Sequence, residues 1–316
     1  MTYLRGTEIT LCEVGPRDGL QNEKTLLSAD QKYNLIRSSV EAGFRVIEVG
    51  SFVSPKAVPQ MADTDEVFRR LLSEDLRTPE GIAPEFRALI ANRKGVDRAA
   101  ACGCRKVKLN VSASVTHNLK NLNCTPSESV ARFADCVNAA KDCGIETSGS
   151  ISMAFGSPWD REISPDTVSE IVDAYLAAGV TEISLSDASG QAFPSQVFEL
   201  CTLMKERYPE VVFWLHFHNT RGMALANIAA GICAGFRRFD AAFAGVGGCP
   251  FVPGATGNVA SEDVVHMCDG SGIITGIDLD RTIQTAEQLV EYIGHKTESS
   301  ILRAGRADRI LSGGGM

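Results

Sequence analysis

The sequence has no uninterrupted apolar run of the roughly 18 residues that a membrane-spanning helix requires. Residues 1–10 also contain no apolar core of signal-peptide length. Basic residues are in the minority, with 31 Lys and Arg against 39 Asp and Glu, and the net charge is −8. Nucleic acids and anionic membranes both attract basic surfaces, which this chain has little charge to form. We therefore expect a cytoplasmic protein that binds neither nucleic acid nor membrane.

The sequence also lacks the cysteine pattern of a disulfide scaffold or a zinc knuckle. Its ten cysteines are spread over 316 residues, mostly in apolar or helical segments, whereas disulfide scaffolds are short and cysteine-dense. Cys102 and Cys104 are separated by a single residue, which is the wrong spacing for a zinc knuckle, and no second pair lies nearby. We therefore expect reduced thiols.

The chain does contain a repeated pattern in which a helical segment ends in glycine and an apolar strand follows. The glycines at these helix ends are Gly43, Gly103, Gly144, Gly179 and Gly235. Glycine is favoured there because it adopts the left-handed conformation without the steric cost of a Cβ atom. Strands that alternate with helices at the spacing of a βα unit predict a parallel sheet.

Eight such units predict an α/β fold, a (βα)8 TIM barrel. The strands are expected near Ile9–Val14, Val46–Ser51, Phe86–Ala91, Val107–Val111, Ser148–Ser152, Glu182–Ser186, Val212–Phe217 and Phe239–Ala244. The helices between them are expected near Ala29–Glu41, Asp63–Leu72, Val96–Ala101, Pro126–Asp142, Pro165–Ala178, Pro194–Arg207, Met223–Ala234 and Glu262–Cys268. A doubly wound sheet is the weaker alternative, because no GxGxxG motif follows the first strand.

One further helix is expected after the barrel. The apolar residues between Asp278 and Ile293 keep helical spacing. The predicted organisation is a single catalytic domain, with the barrel at about 8–270 and the additional C-terminal helix and tail at 271–316.

Polar residues cluster where the predicted strands end, which is the face that carries the active site in TIM barrels. They are Glu13, Arg17, Asp18 and Gln21 after strand one, Glu48 in strand two, Asp187 after strand six, His216 and His218 in strand seven, and Cys249, Asn258 and Glu262 after strand eight. A solvated loop would explain the Arg17–Asp18 pair taken alone. The recurrence of polar clusters at one end of the barrel favours an active site.

His216 and His218 give the sharpest signal. Residues i and i+2 of a strand point to the same side, so both imidazoles can reach one ion. Asp18 could add a carboxylate oxygen and Asn258 an amide oxygen, which suits a divalent cation. Magnesium, manganese and zinc all remain open on these ligand types. The alternative is a pair of hydrogen-bonded core histidines.

Cys249 lies between Gly248 and Pro250 in a glycine-rich loop after strand eight. A thiol in a mobile loop over the site could donate or accept a proton, and the glycines fit a hinged lid. An incidental small residue is the alternative. A phosphate cradle ranks lower, because no P-loop pattern follows.

Four motifs together resemble one family, the 3-hydroxy-3-methylglutaryl-CoA lyases. They are EVGPRDGLQNEK at 13–24, SFVSPKAVPQM at 51–61, HFHNTRGMALAN at 216–227 and GGCPFVPGATGN at 247–258. The resemblance implies a TIM-barrel metallolyase that cleaves hydroxymethylglutaryl-CoA to acetyl-CoA and acetoacetate, as in leucine degradation and ketone body metabolism. It also implies an acyl-CoA thioester substrate, a magnesium or manganese ion, no organic cofactor and a homodimer.

The resemblance also implies roles for individual residues. The implied metal ligands are Asp18, His216, His218 and Asn258. In the implied chemistry, Arg17 contacts the thioester oxygen, Cys249 is the catalytic thiol, and three supporting acids are Glu48, Asp187 and Glu262. Gln21 and Lys296 are expected to bind the CoA substrate.

Three short segments depart from the family pattern. Asp187–Gly190 reads DASG where DTIG is usual, and His218–Gly222 reads HNTRG where HDTYG is usual. Gly294 stands at a family Asn position, although Lys296 is kept. These departures bear on the acyl pocket and the CoA path, and Arg221 could pair with an additional carboxylate of the substrate.

The departures leave other functions open. One is a lyase for another branched 3-hydroxyacyl-CoA, such as citramalyl-CoA or a prenyl-substituted glutaryl-CoA. Another is a Claisen synthase related to the isopropylmalate and homocitrate synthases, although those carry Glu where Cys249 stands. A catalytically inactive barrel that binds CoA or a protein is disfavoured by the intact Arg17, Asp18 and histidine pair. A zinc amidohydrolase is unlike this chain, because its histidine pair belongs at strand one.

Overall fold

The computed structural model describes residues 4–248, 252 and 254–308. Eight parallel strands close into a barrel in which each strand pairs with the next and β8 pairs with β1. The strands are β1 (Thr10–Glu13), β2 (Val46–Ser51), β3 (Glu85–Ile90), β4 (Lys106–Ser112), β5 (Glu146–Ser152), β6 (Glu182–Asp187), β7 (Val212–Phe217) and β8 (Arg238–Ala241). The predicted TIM barrel is therefore confirmed.

The α-helices of the described residues surround this barrel. They are α1 (Ala29–Ala42), α2 (Thr64–Leu72), α3 (Arg93–Ala101), α4 (Val115–Leu122), α5 (Pro126–Ala131), α6 (Phe133–Asp142), α7 (Pro165–Ala177), α8 (Pro194–Arg207), α9 (Ala224–Cys233), α10 (Ser261–Ser271), α11 (Leu279–Ile293) and α12 (Ser300–Ala304). None of these helices has both the length and the apolar character needed to span a membrane.

The helices differ from the prediction in three places. The single helix expected over Pro126–Asp142 is wrong, because a turn at Arg132 divides it into α5 and α6. Arg132 N donates to Ser129 O, a turn contact three residues back. The prediction also missed α4, whose N-cap is Ser114, and α12. The C-terminal helix itself is present as α11.

Local sequence explains why the first helix begins and ends where it does. Ser28 accepts a hydrogen bond from Gln31 N, and the Gln31 side chain accepts one from Ser28 N, which forms a capping box. Gly43 ends α1 with φ at 108°. A Cβ atom at Gly43 would lie 2.4 Å from Gly276 O, so this close approach also requires glycine.

Ion pairs cross the barrel interior. Lys106 on β4 contacts Glu182 on β6 at 2.7 Å, and Arg87 on β3 contacts the same carboxylate at 3.0 Å. These strands are not neighbours, so the pairs cross the interior. Apolar side chains instead fill the space between the strands and the helices, where Tyr175 of α7, for example, is fully buried.

Candidate active site

A π-helical turn at Gly15–Gly19 places Arg17 and Asp18 at the carboxyl end of β1. Val14 O accepts hydrogen bonds from the amides of Asp18 at 2.7 Å and Gly19 at 3.2 Å, which tightens the chain directly after the strand. A Cβ atom at Gly19 would lie 2.6 Å from Val246 Cγ2, so glycine permits the turn to pack against the loop after β8. The two charged side chains are thus aimed over the barrel mouth.

Asp18, His216 and His218 form a cluster that could hold a metal ion. One ligand atom from each lies within 4.8 Å of the others. Asp18 Oδ2 is 3.9 Å from His216 Nε2 and 3.7 Å from His218 Nε2. These distances are too long for direct hydrogen bonds, and they leave space between the three groups for an ion.

Asn258 is held beside this cluster by a backbone bridge and by a side-chain hydrogen bond. An antiparallel bridge pairs Asn258 with His218, and Asn258 Nδ2 donates to Asp18 Oδ2 at 2.8 Å. A Cβ atom at Gly247 would lie 2.6 Å from Asn258 Nδ2, so glycine there lets the loop pass. The structure therefore brings together all four residues that the sequence predicts as metal ligands.

The donor atoms of the cluster fit a cation. Asn258 Oδ1 is buried and has no hydrogen-bond partner among the described residues, and His218 faces Asp18 with its Nε2 atom. Burial opposes ionisation of Asp18, but its contact with His218 and the charge of Arg17 hold the pKa of the Asp18 carboxyl well below its usual range. A permanently ionised carboxylate beside imidazole nitrogens and an unpartnered amide oxygen is a suitable donor set for a divalent ion.

Asp240 of β8 orients His216. Asp240 Oδ2 lies 3.2 Å from His216 Nδ1, so the Nε2 atom is the one that faces Asp18. Burial lowers the pKa of His216, but the hydrogen bond with Asp240 and the charges of Asp18 and Asp240 together outweigh it, and the pKa is raised. Carboxylate partners of this kind commonly fix the tautomer of a metal-binding histidine.

A second pair of charges lies behind Arg17. Glu48 Oε1 is 3.3 Å from Arg17 Nε, and Glu48 Oε2 is 2.5 Å from Lys108 Nζ. Sequence reasoning included Glu48 but missed Lys108 and Asp240. Both stand inside strands, each two residues from a second ionisable residue, Lys106 on β4 and Arg238 on β8.

These groups open into a cavity of about 570 Å³. Arg17, Asp18, Gln21, Glu48 and both histidines line it. The predicted catalytic thiol, Cys249, lies outside the described residues, so its role stays a prediction. The structure does place the loop that leads to it, because Asn22 Nδ2 donates to Gly248 O at 3.1 Å.

Asp187 does not line the cavity. Its buried carboxylate instead accepts hydrogen bonds from the amides of Gln191 at 3.0 Å and Ala192 at 2.9 Å, and from the Ser189 hydroxyl at 3.1 Å. It therefore shapes the loop after β6. Arg221 donates to backbone carbonyls of that same loop, at Ser189 O and Gly190 O, rather than facing the cavity.

Glu262 and Lys296 also lie away from the cavity lining. Glu262 is buried at the start of α10, where Ala244 N donates to it at 3.1 Å. Lys296 is exposed just after α11. The neighbouring His295 contacts Glu23 at 2.8 Å, so this segment lies beside the loop after β1.

Comparisons with known proteins identify the family of the chain. The HMGL-like family model matches residues 8–290. Hydroxymethylglutaryl-CoA lyase of Pseudomonas mevalonii is 40% identical over 95% of this chain and 96% of its own length. (R)-citramalyl-CoA lyase of Chloroflexus aurantiacus is 41% identical, over 94% of this chain and 95% of its own length.

Solved structures give the same result. An HMG-CoA lyase from Acinetobacter baumannii, in complex with coenzyme A and 3-methylmalate, superposes with a TM-score of 0.88 and 40% identity. The match covers 96% of this chain and 97% of that one. With the family model matching most of the sequence and the four candidate ligands in one place, the chain belongs to the HMGL-like family of carbon–carbon lyases.

Proposed function

We propose that the protein is a divalent-metal-dependent lyase that cleaves 3-hydroxy-3-methylglutaryl-CoA to acetyl-CoA and acetoacetate. The observation that carries the proposal is the cluster of Asp18, His216, His218 and Asn258, with Arg17 beside it at a cavity mouth. A family relationship with hydroxymethylglutaryl-CoA lyases supports the same activity. Magnesium or manganese is the proposed ion.

Cleavage of a β-hydroxy thioester requires that the tertiary hydroxyl lose its proton and that the departing enolate be stabilised. A divalent ion at the cluster supplies Lewis acidity and fixed positive charge. His216 and the carboxylates of Asp18 and Glu48 are the proton acceptors that line the cavity. Cys249 is proposed to protonate the enolate carbon, which completes acetyl-CoA.

Arg17 is proposed to stabilise the enolate oxygen. Its guanidinium is held by Asp18 at 2.6 Å and by Glu48 at 3.3 Å, so it is fixed before the substrate arrives. The side chain remains 14% exposed toward the cavity, which leaves N–H groups for a ligand. A positive donor that needs no reorganisation is the most effective kind of transition-state stabilisation.

A second candidate is cleavage of another branched 3-hydroxyacyl-CoA, such as citramalyl-CoA or a prenyl-substituted glutaryl-CoA. The cavity wall formed by β4, β5 and β6 carries small polar side chains, namely Asn110, Ser150, Ser152 and Ser186. Ser152 donates to Asn110 at 2.8 Å, while no described residue forms a hydrogen bond with the hydroxyl groups of Ser150 and Ser186. Free hydroxyl groups there would suit a short acyl group whose carboxylate reaches this wall, as in citramalyl-CoA, and would not suit an apolar prenyl substituent.

The remaining parts of the proposal concern partners and context. Gln21, which lines the cavity, and Lys296, beside the loop after β1, are proposed to contact the CoA portion. A homodimer, a cytoplasmic location and a place in leucine degradation and ketone body metabolism are proposed from the family alone.

The test is coupled detection of acetyl-CoA from purified protein supplied with magnesium or manganese. Hydroxymethylglutaryl-CoA, citramalyl-CoA and a prenyl-substituted analogue are compared, with EDTA-treated protein as the control. Turnover of the first above about 1 s⁻¹, within the usual range for enzymes, supports the proposal. Turnover of another thioester alone would assign that thioester as the substrate. Inactivity on all three with metal bound would overturn the lyase assignment.

A further inference from the structure

Six ionisable side chains at the barrel mouth form a closed ring in which acidic and basic residues alternate. Lys108, on β4, links Glu48 to Asp240 in this ring. Among the described residues it forms no ion pair with any of the four candidate metal ligands. The six successive contacts are Arg17–Asp18 at 2.6 Å, Arg17–Glu48 at 3.3 Å, Glu48–Lys108 at 2.5 Å, Lys108–Asp240 at 3.7 Å, Asp240–His216 at 3.2 Å and His216–Asp18 at 3.9 Å.

Lys108 occupies a special place in this ring. Among the described residues it is the side chain that forms ion pairs with both Glu48 and Asp240. It is 6% exposed, and both carboxylate partners are at most 3% exposed, so solvent screens these charges little. Burial opposes the charge on Lys108, but Asp240 and Glu48 outweigh it and raise the pKa of the amine.

We infer that Lys108 is a positioning residue, which fixes Glu48 behind Arg17 and Asp240 behind His216. Glu48 offers one oxygen to Lys108 and the other to Arg17, so the lysine determines which way that carboxylate faces. Asp240 Oδ2 is shared between Lys108 and His216 Nδ1. One cation thus connects the proposed enolate donor to a proposed metal ligand. This inference rests on the proposed lyase function.

The same contacts exclude a different role for Lys108. A lysine that attacks a carbonyl group must be available as the neutral amine. Two buried carboxylates beside Nζ favour the ammonium form, which has no lone pair for attack. Lys108 therefore acts through its charge and its position.

Chemical rescue separates charge from packing. Lys108→Ala removes the three outer methylene groups and the ammonium, which together have the shape of n-propylammonium. Turnover is measured for this variant alone, with n-propylammonium, and with 1-propanol as a neutral molecule of similar size. We expect kcat to fall by about 100-fold or more, as for loss of a group that orients catalytic side chains. Propylammonium should raise the kcat of Lys108→Ala at least roughly 10-fold, and propanol should not raise it.

Lys106→Met is the matched control, with Lys108→Met as its counterpart. Lys106 is also a buried lysine of β4 with carboxylate partners, but it lies outside the ring and the cavity lining. Both substitutions remove a buried cation, so both should lower stability to a similar degree. We expect Lys108→Met to lose turnover and Lys106→Met to retain wild-type kcat within about 3-fold.

Crystal structures of wild type and Lys108→Met give a measurement that does not depend on turnover. We expect the Glu48 and Asp240 side chains of the variant to rotate, so that they no longer reach Arg17 and His216. Unchanged Glu48 and Asp240 side chains in Lys108→Met would overturn the inference, as would wild-type kcat in both Lys108 variants or equal rescue by propanol. Inactive wild-type protein would refute the proposed lyase function instead, and the crystal structures would still decide the role of Lys108.

Discussion

The barrel contains two groups of buried ion pairs that serve different ends. The lower group consists of Arg87, Lys106, Glu85 and Glu182, and it crosses the interior beneath the cavity. The upper group is the ring at the barrel mouth that includes Arg17, Asp18 and Lys108. The two groups share β4, since Lys106 and Lys108 are two residues apart on that strand. Position along the strand therefore separates them.

The two groups differ in their relation to the cavity. In the lower group, Lys106 lies within 3.1 Å of both carboxylates, and none of the four side chains lines the cavity. In the upper group all six side chains line the cavity, and the group includes two of the candidate metal ligands. A charge that lines a cavity can act on a ligand, whereas one that lies outside it acts on the fold. We therefore assign stability to the lower group and function to the upper one.

The largest expected effect comes from the metal cluster. Asp18→Asn should abolish tight binding of magnesium or manganese, because it removes the charged ligand between the two histidines. Turnover should fall by roughly 10³–10⁵-fold, since Lewis-acid assistance contributes several kcal/mol. Isothermal titration with manganese and the acetyl-CoA assay measure these two effects.

A thermal shift supplies the control for this prediction. Manganese at about 100 times its Kd should stabilise the wild-type protein by about 2.7 kcal/mol relative to EDTA-treated protein, because it binds only the folded state. The Asp18→Asn variant should show no such shift. Tight stoichiometric metal binding by this variant would contradict the assignment of the metal site to the upper group.

Arg17→Met tests the enolate donor separately from the metal. Turnover should fall by about 10²–10⁴-fold, corresponding to roughly 3–5 kcal/mol of lost transition-state stabilisation. Metal affinity should be retained, because Arg17 is not among the ligands. If kcat stays near the wild-type value, the guanidinium is not the donor and the upper group contains only a metal site.

The fold was predictable from the sequence because its signals are local. Glycine at helix ends and apolar strands between helices set the order of elements, and the barrel follows from that order. The division between α5 and α6 was not predictable, because the residues after Pro126 and up to Asp142 include no glycine or further proline that would mark a turn at Arg132. The helix α4 was missed because its polar first turn reads as a loop.

The candidate site was predictable only in part. Asp18, His216 and Asn258 stand in recognisable motifs at strand ends, so their convergence follows from the barrel. Lys108 and Asp240 stand inside strands, where sequence gives no indication of which charges will pair across the interior. Their role emerges only when the closed barrel brings β4 opposite β8 across its interior.

Arg87→Met tests the lower group. Arg87 is 2% exposed, pairs with Glu85 and Glu182, and stacks its guanidinium 4.8 Å from the Trp214 ring. Removing one member of a buried ion pair should lower the free energy of unfolding by about 3–5 kcal/mol. Urea denaturation measures the change. Below the unfolding transition kcat should stay within about 3-fold of wild type.

The exposed pair of Arg37 and Glu41 provides the control for that prediction. Arg37→Met should change the free energy of unfolding by less than about 0.5 kcal/mol, because solvent screens a surface pair. A large fall in kcat for folded Arg87→Met would contradict the division between the two groups. An equal change in stability for both variants would show that the lower group adds nothing beyond a surface pair.

The smallest expected effect concerns a buried carboxyl in neither group. Glu262 has no ion-pair partner among the described residues, and burial raises its pKa to about 7, whereas Arg87 and Lys106 hold the pKa of Glu182 below its usual value. The folded state therefore binds a proton at Glu262 more tightly than the unfolded state does. Its contribution to stability is complete below about pH 4.5 and is lost as pH rises through 7.

Glu262→Gln should flatten the pH dependence of stability. Between pH 5 and pH 7 the free energy of unfolding of the wild-type protein should fall more steeply than that of the variant, by at most about 1.4 kcal/mol per pH unit. Urea denaturation of both proteins at several pH values measures the difference. Glu13, whose pKa burial raises to about 8, is present in both proteins, and its coupling to the charge of Glu262 is part of the measured difference. Parallel profiles would mean that Glu262 is ionised throughout, and that a buried carboxylate here needs no cation beside it.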